Sequence, residues 1–443
     1  MSIRFRPRAT HVEAERFGSV RHRLFGALAR WAPPEAQLLR VRALVIACLL
    51  AAFALPASAQ SVTVYEGARL ITGDGRVIEN GILVVDGARI AAAGSVADVR
   101  VPSGARRVNV AGKTLMPMII DTHVHLSPRR DAIVRDLRLR AYYGVSTVLS
   151  LGTDSIESFD LLGKTVPGAA RFLSAGRGIT MPEPGRSTAP HWVTTADSAR
   201  KAVEQLAAEK VAMVKVWVDT RDGKYQKVPP EIYGAIIDEA HKRGLRVTAH
   251  IFDLEDAKGL IRAGLDAFAH GVRDKDIDDE LIAMFRQRPA LVLTPNLPDR
   301  GVKTDLSWLK TSLPAAELEK LEAANTDRAQ AQQFFGIQAR NLAKLNAAGV
   351  RIALATDGNI PWAAHVEMAD MVAAGMTPMQ VIVASTRNSA DFLRLSDTGT
   401  LHPGKSADFI VLDANPLDDI TNTRRISAVV LRGEALDRTE PVR

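Results

Sequence analysis

Five short apolar stretches of this chain each carry, at or near the carboxyl end, a side chain that can bind a metal ion. They lie at residues 116–125, 211–218, 244–250, 264–270 and 350–357. Together they offer His123, His125, Lys215, His250, His270 and Asp357. Because the intervals between most stretches can hold a helix, the pattern predicts parallel strands whose carboxyl ends meet at one mouth. We therefore expect these side chains to form a single site.

The first stretch ends in His-Val-His, which places His123 and His125 two residues apart. In an extended strand, residues i and i+2 point to the same side, so both imidazoles can grip one ion. A lone buried histidine is more often a core residue than a ligand. Four histidines that end apolar runs, with a lysine and a carboxylate in matching positions, indicate a metal site.

Amphipathic segments alternate with these strands. The remaining barrel strands are predicted at residues 145–149, 172–175 and 290–293. A helix is expected at 229–243, because it opens with proline and has basic residues in its last turn before Gly244. His241 is therefore interpreted as a helix-end residue. Residues 315–348 are expected to form one long helical excursion, and no nucleotide-binding glycine motif is present.

Short β-like segments occur at both ends of the chain. They lie at residues 62–65, 82–85, 108–110, 408–413 and 428–433, and a Gly-Asp-Gly turn signal stands at 73–75. Neither end has enough strands for a stable sandwich. We therefore predict that the two ends pair into one small β-domain beside the barrel.

The five motifs resemble those of the amidohydrolase superfamily, whose members are metal-dependent (β/α)8-barrel hydrolases. They read Asp-Thr-His-Val-His at 121–125, Met-Val-Lys-Val-Trp at 213–217, Val-Thr-Ala-His at 247–250, Phe-Ala-His-Gly at 268–271 and Ala-Thr-Asp-Gly at 355–358. Within it the chain resembles the branch of imidazolonepropionase-like enzymes, Xaa-Pro dipeptidases and ochratoxin amidases. The resemblance implies an α/β fold, a TIM barrel with a small β-sandwich domain built from both ends of the mature chain.

The resemblance also implies a cofactor and roles for the ligands. Two zinc ions are expected per chain, with His123, His125 and Asp357 on the more buried ion. His250 and His270 would hold the more exposed ion. A carbamylated Lys215 would bridge the two, and Asp357 would pass a proton from the nucleophilic water to the leaving amine, so Asp357 and Lys215 are the predicted catalytic residues.

Charge supports the carbamate. An ammonium at Lys215 beside two divalent ions would be strongly repelled, whereas a carbamate on the same nitrogen is a bridging anion. Zinc suits amide hydrolysis because it lowers the pKa of a coordinated water to about 7 and polarises a carbonyl.

Specificity is expected in the loops that follow the strands. The candidate substrate-binding residues are Arg186, His191, Trp217, Tyr225, Asn296, Arg300, Trp362 and His365. Arginine and tyrosine beside aromatic rings suit a substrate with a carboxylate and an apolar group. The loop at 179–190 lacks the Gly-Gly-His that the family often carries after strand 3, which leaves the substrate open.

The basic balance of the chain belongs to its N-terminal segment. Residues 1–42 hold nine Arg and three Glu, which accounts for +6 of the net charge of +7, so nucleic acid is not expected as a partner. Residues 43–55 are uncharged, too short to span a bilayer comfortably, and Ala57-Ser58-Ala59 follows. This predicts a signal peptide cleaved after Ala59 and export to the periplasm or medium, with no stable membrane anchor; an anchor remains the alternative.

Cleavage would also remove the only cysteine, Cys48, which excludes thiol chemistry and disulfides in the mature protein. The predicted domains are an N-terminal extension with signal peptide (1–59), a first β-sandwich part (60–114), the barrel (115–397) and a second β-sandwich part (398–443).

The predicted function is hydrolysis of amide bonds in small carboxylate-bearing molecules, such as N-acyl amino acids or Xaa-Pro dipeptides, by attack of a zinc-activated hydroxide. A small-molecule substrate is the expected partner, and homo-oligomerisation is left open. Two alternatives remain. One is a cyclic amide or lactone hydrolase with a single metal and an unmodified Lys215, and the other is a catalytically silent exported binding protein on the same barrel.

Overall fold

The computed structural model describes residues 62–439, and the predicted signal segment lies outside that range. The described chain opens with five strands: β1 (Thr63–Ile71), β2 (Val77–Asp86), β3 (Arg89–Ser95), β4 (Arg106–Asn109) and β5 (Thr114–Pro117). β1 and β2 form an antiparallel hairpin. Gly73 and Gly75 in its turn have φ values of +87° and +95°, which glycine alone adopts without steric cost. The predicted turn is confirmed.

Ten strands follow, and most are short and buried. They are β6 (Ile119–Val124), β7 (Val145–Ser150), β8 (Arg171–Ser174), β9 (Ile179–Thr180), β10 (His191–Trp192), β11 (Val214–Val218), β12 (Val247–Ile251), β13 (Ala267–Ala269), β14 (Val292–Thr294) and β15 (Arg351–Ile352). Every residue of β6, β7, β11 and β12 is buried. Burial of both faces is what a parallel sheet covered by helices requires, and it explains why these segments read as continuous apolar runs.

Helices connect these strands. They are α1 (Arg130–Tyr142), α2 (Ile156–Phe159), α3 (Ala196–Ala208), α4 (Pro230–Lys242), α5 (Leu254–Arg262), α6 (Asp279–Gln287), α7 (Ala315–Ala324), α8 (Ala329–Ala347), α9 (Ala363–Ala373), α10 (Pro378–Val383) and α11 (Ser389–Phe392). α4 begins at proline and ends with His241 in its last turn, as predicted. Within residues 62–439, no helix combines the length and hydropathy needed to cross a bilayer.

The predicted helical excursion at 315–348 is confirmed, and it consists of two helices, α7 and α8. The break falls at Asn325, whose side chain bonds the backbone of Thr304: Nδ2 donates to the carbonyl oxygen (2.6 Å), and Oδ1 accepts from the N–H (2.9 Å). A nearby carboxylate, Asp327, accepts from the N–H of Lys303 (2.8 Å). These side chains cap a distant loop in place of continuing the helix.

The parallel strands form a closed ring. The seven-stranded sheet has the order β10-β9-β11-β12-β13-β14-β15, and the three-stranded sheet has the order β6-β7-β8. Backbone hydrogen bonds join the two sheets on both sides, from Ala212 N–H to the Ser174 carbonyl (2.8 Å) and from Thr122 N–H to the Leu354 carbonyl (3.0 Å). With β9 and β10 as additions after the third strand, the fold is a (β/α)8 barrel.

The far end of the chain returns to the first sheet. It supplies β16 (Phe409–Leu412), β17 (Ile426–Leu431) and β18 (Glu434–Ala435). β16 pairs antiparallel with β5, so both ends of the described chain share one eight-stranded sheet. Tyr65 and Phe409 meet edge to face in its core, with ring centroids 5.0 Å apart. This is the small β-domain that completes the fold.

A buried ion pair lies where the first and last barrel strands meet. Asp121 and Arg140 are both fully buried, with Oδ2 and Nη1 3.4 Å apart. The Arg140 Nη2 donates to the Gly358 carbonyl (2.9 Å), and the Asp121 carboxylate accepts from Thr356 Oγ1 (2.8 Å) and from the N–H of His123 (3.2 Å). Burial raises the pKa of Asp121 to about 6, although Arg140 opposes the shift. The pair therefore ties β6, α1 and the segment after β15 together.

We predict that Arg140→Met destabilises the protein by about 3–5 kcal/mol, because it leaves the Asp121 carboxylate buried without its cation. Denaturant unfolding followed by circular dichroism measures this. The double variant Arg140→Met/Asp121→Asn should regain part of the loss, since the uncompensated charge is gone. Arg129→Met breaks an exposed pair with Asp131 and should leave the midpoint unchanged. A single variant as stable as the wild type would contradict the role assigned to the pair.

Candidate active site

The end of β6 delivers two imidazoles to the barrel mouth. His123 and His125 lie on one side of the strand, and their ring centroids are 5.1 Å apart. The Nε2 atoms of both rings lie 3.0 Å from Oδ1 of Asp357. His125 is also oriented through Nδ1, which lies 2.9 Å from Thr153 Oγ1. The structure thus brings together three of the residues predicted from the first and last strands.

Asp357 follows β15 in a left-handed backbone conformation, with φ of +53°. This conformation is uncommon for a residue other than glycine. It is held by the Asp357 N–H, which donates to the His123 carbonyl (2.8 Å). The side chain is about one third exposed, at 34%, so a ligand in the mouth can reach the carboxylate.

The two other histidines come from neighbouring strands. His250 lies in β12, and His270 follows β13 with φ of +100°, its N–H donating to the Thr294 carbonyl (2.9 Å). Their ring centroids are 4.6 Å apart. His270 Nε2 lies 3.4 Å from Oδ2 of Asp357. Strained backbone at His270 and Asp357 is characteristic of a functional site, where the surrounding structure enforces a particular side-chain direction.

Lys215 lies in β11 and is fully buried, and its Nζ has no hydrogen-bond partner among the described residues. The amine lies 5.5 Å from the centre of the Trp217 ring. Gly152 and Gly178 leave space for the Lys215 side chain. A Cβ at position 152 would lie 3.0 Å from Lys215 Cγ, and one at position 178 would lie 3.2 Å from it. Burial lowers the pKa of this amine to about 7, with Arg221 and Arg273 adding to the shift and Asp357 opposing it.

Burial also keeps the imidazoles neutral. It lowers the pKa of His123 and of His250 to about 3, and it lowers the pKa of His270 well below its usual value. Burial alone would raise the pKa of Asp357. Contacts with His123 and His270 lower this pKa by more than burial raises it, so the net shift is downward. Neutral imidazoles and an ionised carboxylate are the forms in which these side chains bind metals.

The donor set fits a zinc-type ion. Ligand atoms of His123, His270 and Asp357 all lie within 4.8 Å of one another. Imidazole nitrogen and carboxylate oxygen are ligands that zinc accepts. The buried Nζ of Lys215 lacks a partner beside them, and an anion built on that nitrogen would give the site a further ligand.

The structure adds three residues that the strand-end pattern did not identify: Glu183, Asp219 and Arg221. His250 Nε2 lies 3.0 Å from Asp219 Oδ2 and 3.3 Å from Arg221 Nη1. Asp219 directly follows β11, so the rule that selected Lys215 could have selected it. Glu183 and Arg221 stand in loops without a periodic signal, and only their ion pair in three dimensions (3.1 Å) reveals them.

A cavity of about 210 Å³ opens above these groups. It is lined by His125, Thr153, Glu183, Arg186, Ser187, Pro190, Trp217, Arg221, His250 and Asp357. Two predicted substrate-binding residues, Arg186 and Trp217, are therefore in its wall. Tyr225 does not line the cavity, and its hydroxyl donates to the Pro184 carbonyl (3.0 Å).

His191 and Asn296 do not line the cavity. His191 belongs to β10, which pairs with β9. Asn296 is buried after β14 with φ of +45°, and its Nδ2 has no hydrogen-bond partner among the described residues.

Arg300, Trp362 and His365 do not line this cavity, and their part in substrate contact stays a prediction. Arg300 forms an ion pair with Asp370 (2.7 Å). Trp362 packs against Tyr143, with ring centroids 5.8 Å apart. Both ring nitrogens of His365 are engaged, Nε2 with the Tyr143 carbonyl (2.8 Å) and Nδ1 with Thr423 Oγ1 (3.1 Å).

Comparison with known proteins supports the same chemistry. The sequence profile of the amidohydrolase family matches residues 114–436. The chain is 25% identical over 423 residues to ochratoxinase from Aspergillus niger, covering 81% of this chain and 82% of the relative. It is 24% identical over 411 residues to imidazolonepropionase from Shouchella clausii strain KSM-K16, covering 82% of this chain and 88% of the relative.

Solved structures share the fold. A Xaa-Pro dipeptidase with methionine bound in its active site has a TM-score of 0.68 and 21% identity, covering 85% of this chain and 100% of the other. Ochratoxinase from A. niger has a TM-score of 0.67 and 21% identity, covering 85% and 95%. At 21% identity these structures are evidence for the fold alone. The evidence for the activity is the match to the family profile. The chain belongs to the amidohydrolase family and is a hydrolase of amide bonds.

Proposed function

We propose that this protein is an exported, zinc-dependent amidohydrolase that cleaves small carboxylate-bearing amides such as N-acyl amino acids or Xaa-Pro dipeptides. The observation that carries the proposal is the convergence of three imidazoles on Asp357, within 3.0–3.4 Å, beside the unpartnered amine of Lys215. Export rests on the sequence of residues 43–59.

The environment of Lys215 favours its conversion to a carbamate. With the pKa near 7, a large fraction of the amine is neutral at physiological pH. The neutral nitrogen can attack the carbon of carbon dioxide and release a proton, which leaves a carbamate anion. This anion would replace a cation that burial disfavours, and its oxygens would be metal ligands in addition to the histidines and Asp357. We infer that Lys215 in this form would help to hold two ions.

Bound zinc supplies a water of lowered pKa and a charge that polarises the amide carbonyl. The protein's own part falls to Asp357. Its carboxylate lies 3.0 Å from the Nε2 atoms of His123 and His125 and is accessible from the cavity, so it can accept the proton of the attacking water. The same carboxyl can then give that proton to the leaving nitrogen.

The cavity is consistent with a small substrate. Its volume of about 210 Å³ is below the range of about 300–1,000 Å³ usual for drug-sized ligands. Trp217 offers an apolar surface in the wall, and arginine side chains offer positive charge. The similar dipeptidase structure is described with methionine in its active site, and ochratoxinase is a further relative. An amino acid leaving group agrees with the dipeptidase.

A cyclic amide hydrolase with one ion is the second candidate, favoured by the similarity to imidazolonepropionase and by the compact group of His123, His270 and Asp357. In that case Lys215 stays an amine. The number of ions per chain separates the two candidates.

The proposed function is tested with zinc-loaded mature protein on a panel of N-acyl amino acids, Xaa-Pro dipeptides, imidazolones and lactones. We expect release of free amino acids from the first two classes, and chelator-treated protein, assayed in parallel, should be inactive until zinc is restored. Turnover of cyclic amides alone would favour the second candidate. No turnover of any class by fully loaded protein would support a binding protein and contradict the proposal.

We further predict that Asp357→Asn retains most of the metal but loses kcat by about 10²–10⁴-fold, because an amide cannot accept the proton of the attacking water. Metal analysis and steady-state kinetics on the same preparation measure both quantities. Asp253→Asn is a matched control, since this carboxylate pairs with Lys227 and does not line the cavity. Near-normal kcat in metal-replete Asp357→Asn would assign proton transfer to another group.

A further inference from the structure

The loop after β11 places one arginine, Arg221, in the cavity wall. Its Nε donates to Glu183 Oε1 (3.1 Å), and its Nη1 donates to Asp219 Oδ2 (3.0 Å). The side chain is only 14% exposed, and Glu183 and Asp219 are more buried still. Two carboxylates thus fix the guanidinium before any ligand arrives.

The backbone of this loop is shaped for that purpose. Three successive residues, Arg221, Asp222 and Gly223, have φ values of +53°, +57° and +79°. Left-handed angles at the first two cost free energy, since neither is glycine. The Arg221 N–H donates to Asp219 Oδ1 (2.9 Å), which stabilises the turn. In this strained conformation of the loop, the Arg221 side chain lies beside His250 and is largely shielded from solvent.

The charges around the guanidinium leave room for an anion. Glu183 is shared, because its second oxygen lies 3.3 Å from Nε of Arg186. Another arginine, Arg273, has a buried Nε with no hydrogen-bond partner among the described residues. Two guanidiniums in the cavity wall, Arg186 and Arg221, therefore share Glu183, while the Asp357 carboxylate is occupied by histidines.

We propose that Arg221 binds the substrate carboxylate and is the main specificity-determining residue of the site. This inference rests on the proposed function, because it names the group that recognises the carboxylate-bearing part of the substrate. The two bonds to Glu183 and Asp219 use Nε and Nη1, and Nη2 has no hydrogen-bond partner in the described chain. A carboxylate bound there stands on the His250 side of the cavity, with the scissile amide extending toward Asp357.

Arg186 is the competing candidate, since it lines the same cavity. Its side chain is 47% exposed, and one ion pair to Glu183 holds it. Ordering such a side chain around a ligand costs conformational entropy that Arg221 has already lost. The structure therefore favours Arg221.

The test compares a substrate of the proposed class, an N-acyl amino acid, with the analogue in which the carboxylate is reduced to an alcohol. Release of the amine is measured for wild type, Arg221→Gln, Arg221→Lys and Arg186→Gln, with metal content for each. We expect Arg221→Gln to lower kcat/KM for the acid by about 10- to 100-fold, the loss of a hydrogen bond to a charged group. Its kcat/KM for the alcohol should stay within about twofold of the wild type.

Two further readouts separate recognition from a structural role. Calorimetric binding of the free amino acid product should weaken in Arg221→Gln by a similar factor at unchanged metal content, and Arg221→Lys should restore part of the binding. Arg200→Gln breaks an ion pair with Asp238 on two outer helices and should behave as wild type.

The outcomes distinguish this proposal from the proposed function. If the wild type hydrolyses neither compound, the proposed function fails. If it hydrolyses acid and alcohol equally well, or if Arg186→Gln rather than Arg221→Gln removes the preference, the function stands and the role of Arg221 is overturned. An equal loss on both substrates in Arg221→Gln would also overturn it, because that pattern indicates a role through His250 or the metal.

Discussion

The catalytic arrangement depends on the seam between the first and last strands of the barrel. His123 and His125 end one strand, Asp357 follows the other, and they meet only because the ring closes there. Asp121 holds that seam from beneath with hydrogen bonds to both segments, and Arg140 neutralises it within the core. A buried pair of this kind adds little net stability compared with apolar residues, but loss of one partner is costly. The Asp121–Arg140 pair instead fixes the positions of His123, His125 and Asp357.

Desolvation explains much of the chemistry above that seam. Burial keeps the imidazoles neutral and lowers the pKa of the Lys215 amine toward neutrality. The site thus holds neutral nitrogen donors around one carboxylate, which suits a divalent cation. It also holds the buried, unpartnered amine of Lys215. On the cavity side, strained backbone at His270, Asp357 and Arg221 aims side chains inward. Some folding stability has been given up for a preorganised site.

The barrel and the gathering of histidines followed from local rules. These rules depend only on residues that are close together in the sequence. Examples are apolar runs of strand length, histidines at i and i+2, and a proline at the start of a helix such as α4. The antiparallel pairing of β5 with β16 was also predictable, since neither end could form a stable sheet alone. Long-range effects were not predictable in this way. Asn325 ends α7 because it binds the backbone of Thr304, which is 21 residues away in the chain. The partners of loop side chains were equally hidden: Arg300 pairs with Asp370 and His365 bonds Tyr143, whereas Arg221 lines the cavity.

The central claim is that Lys215 carries a carbamate between two metal ions. The most direct measurement is ¹³C NMR of zinc-loaded protein prepared with ¹³C-labelled bicarbonate, together with metal analysis of the same sample. The account predicts a carbamate resonance and two ions per chain in the wild type. The resonance should be absent in Lys215→Ala. An active wild-type protein with one ion per chain and no carbamate resonance would contradict it and would leave Lys215 a neutral buried amine.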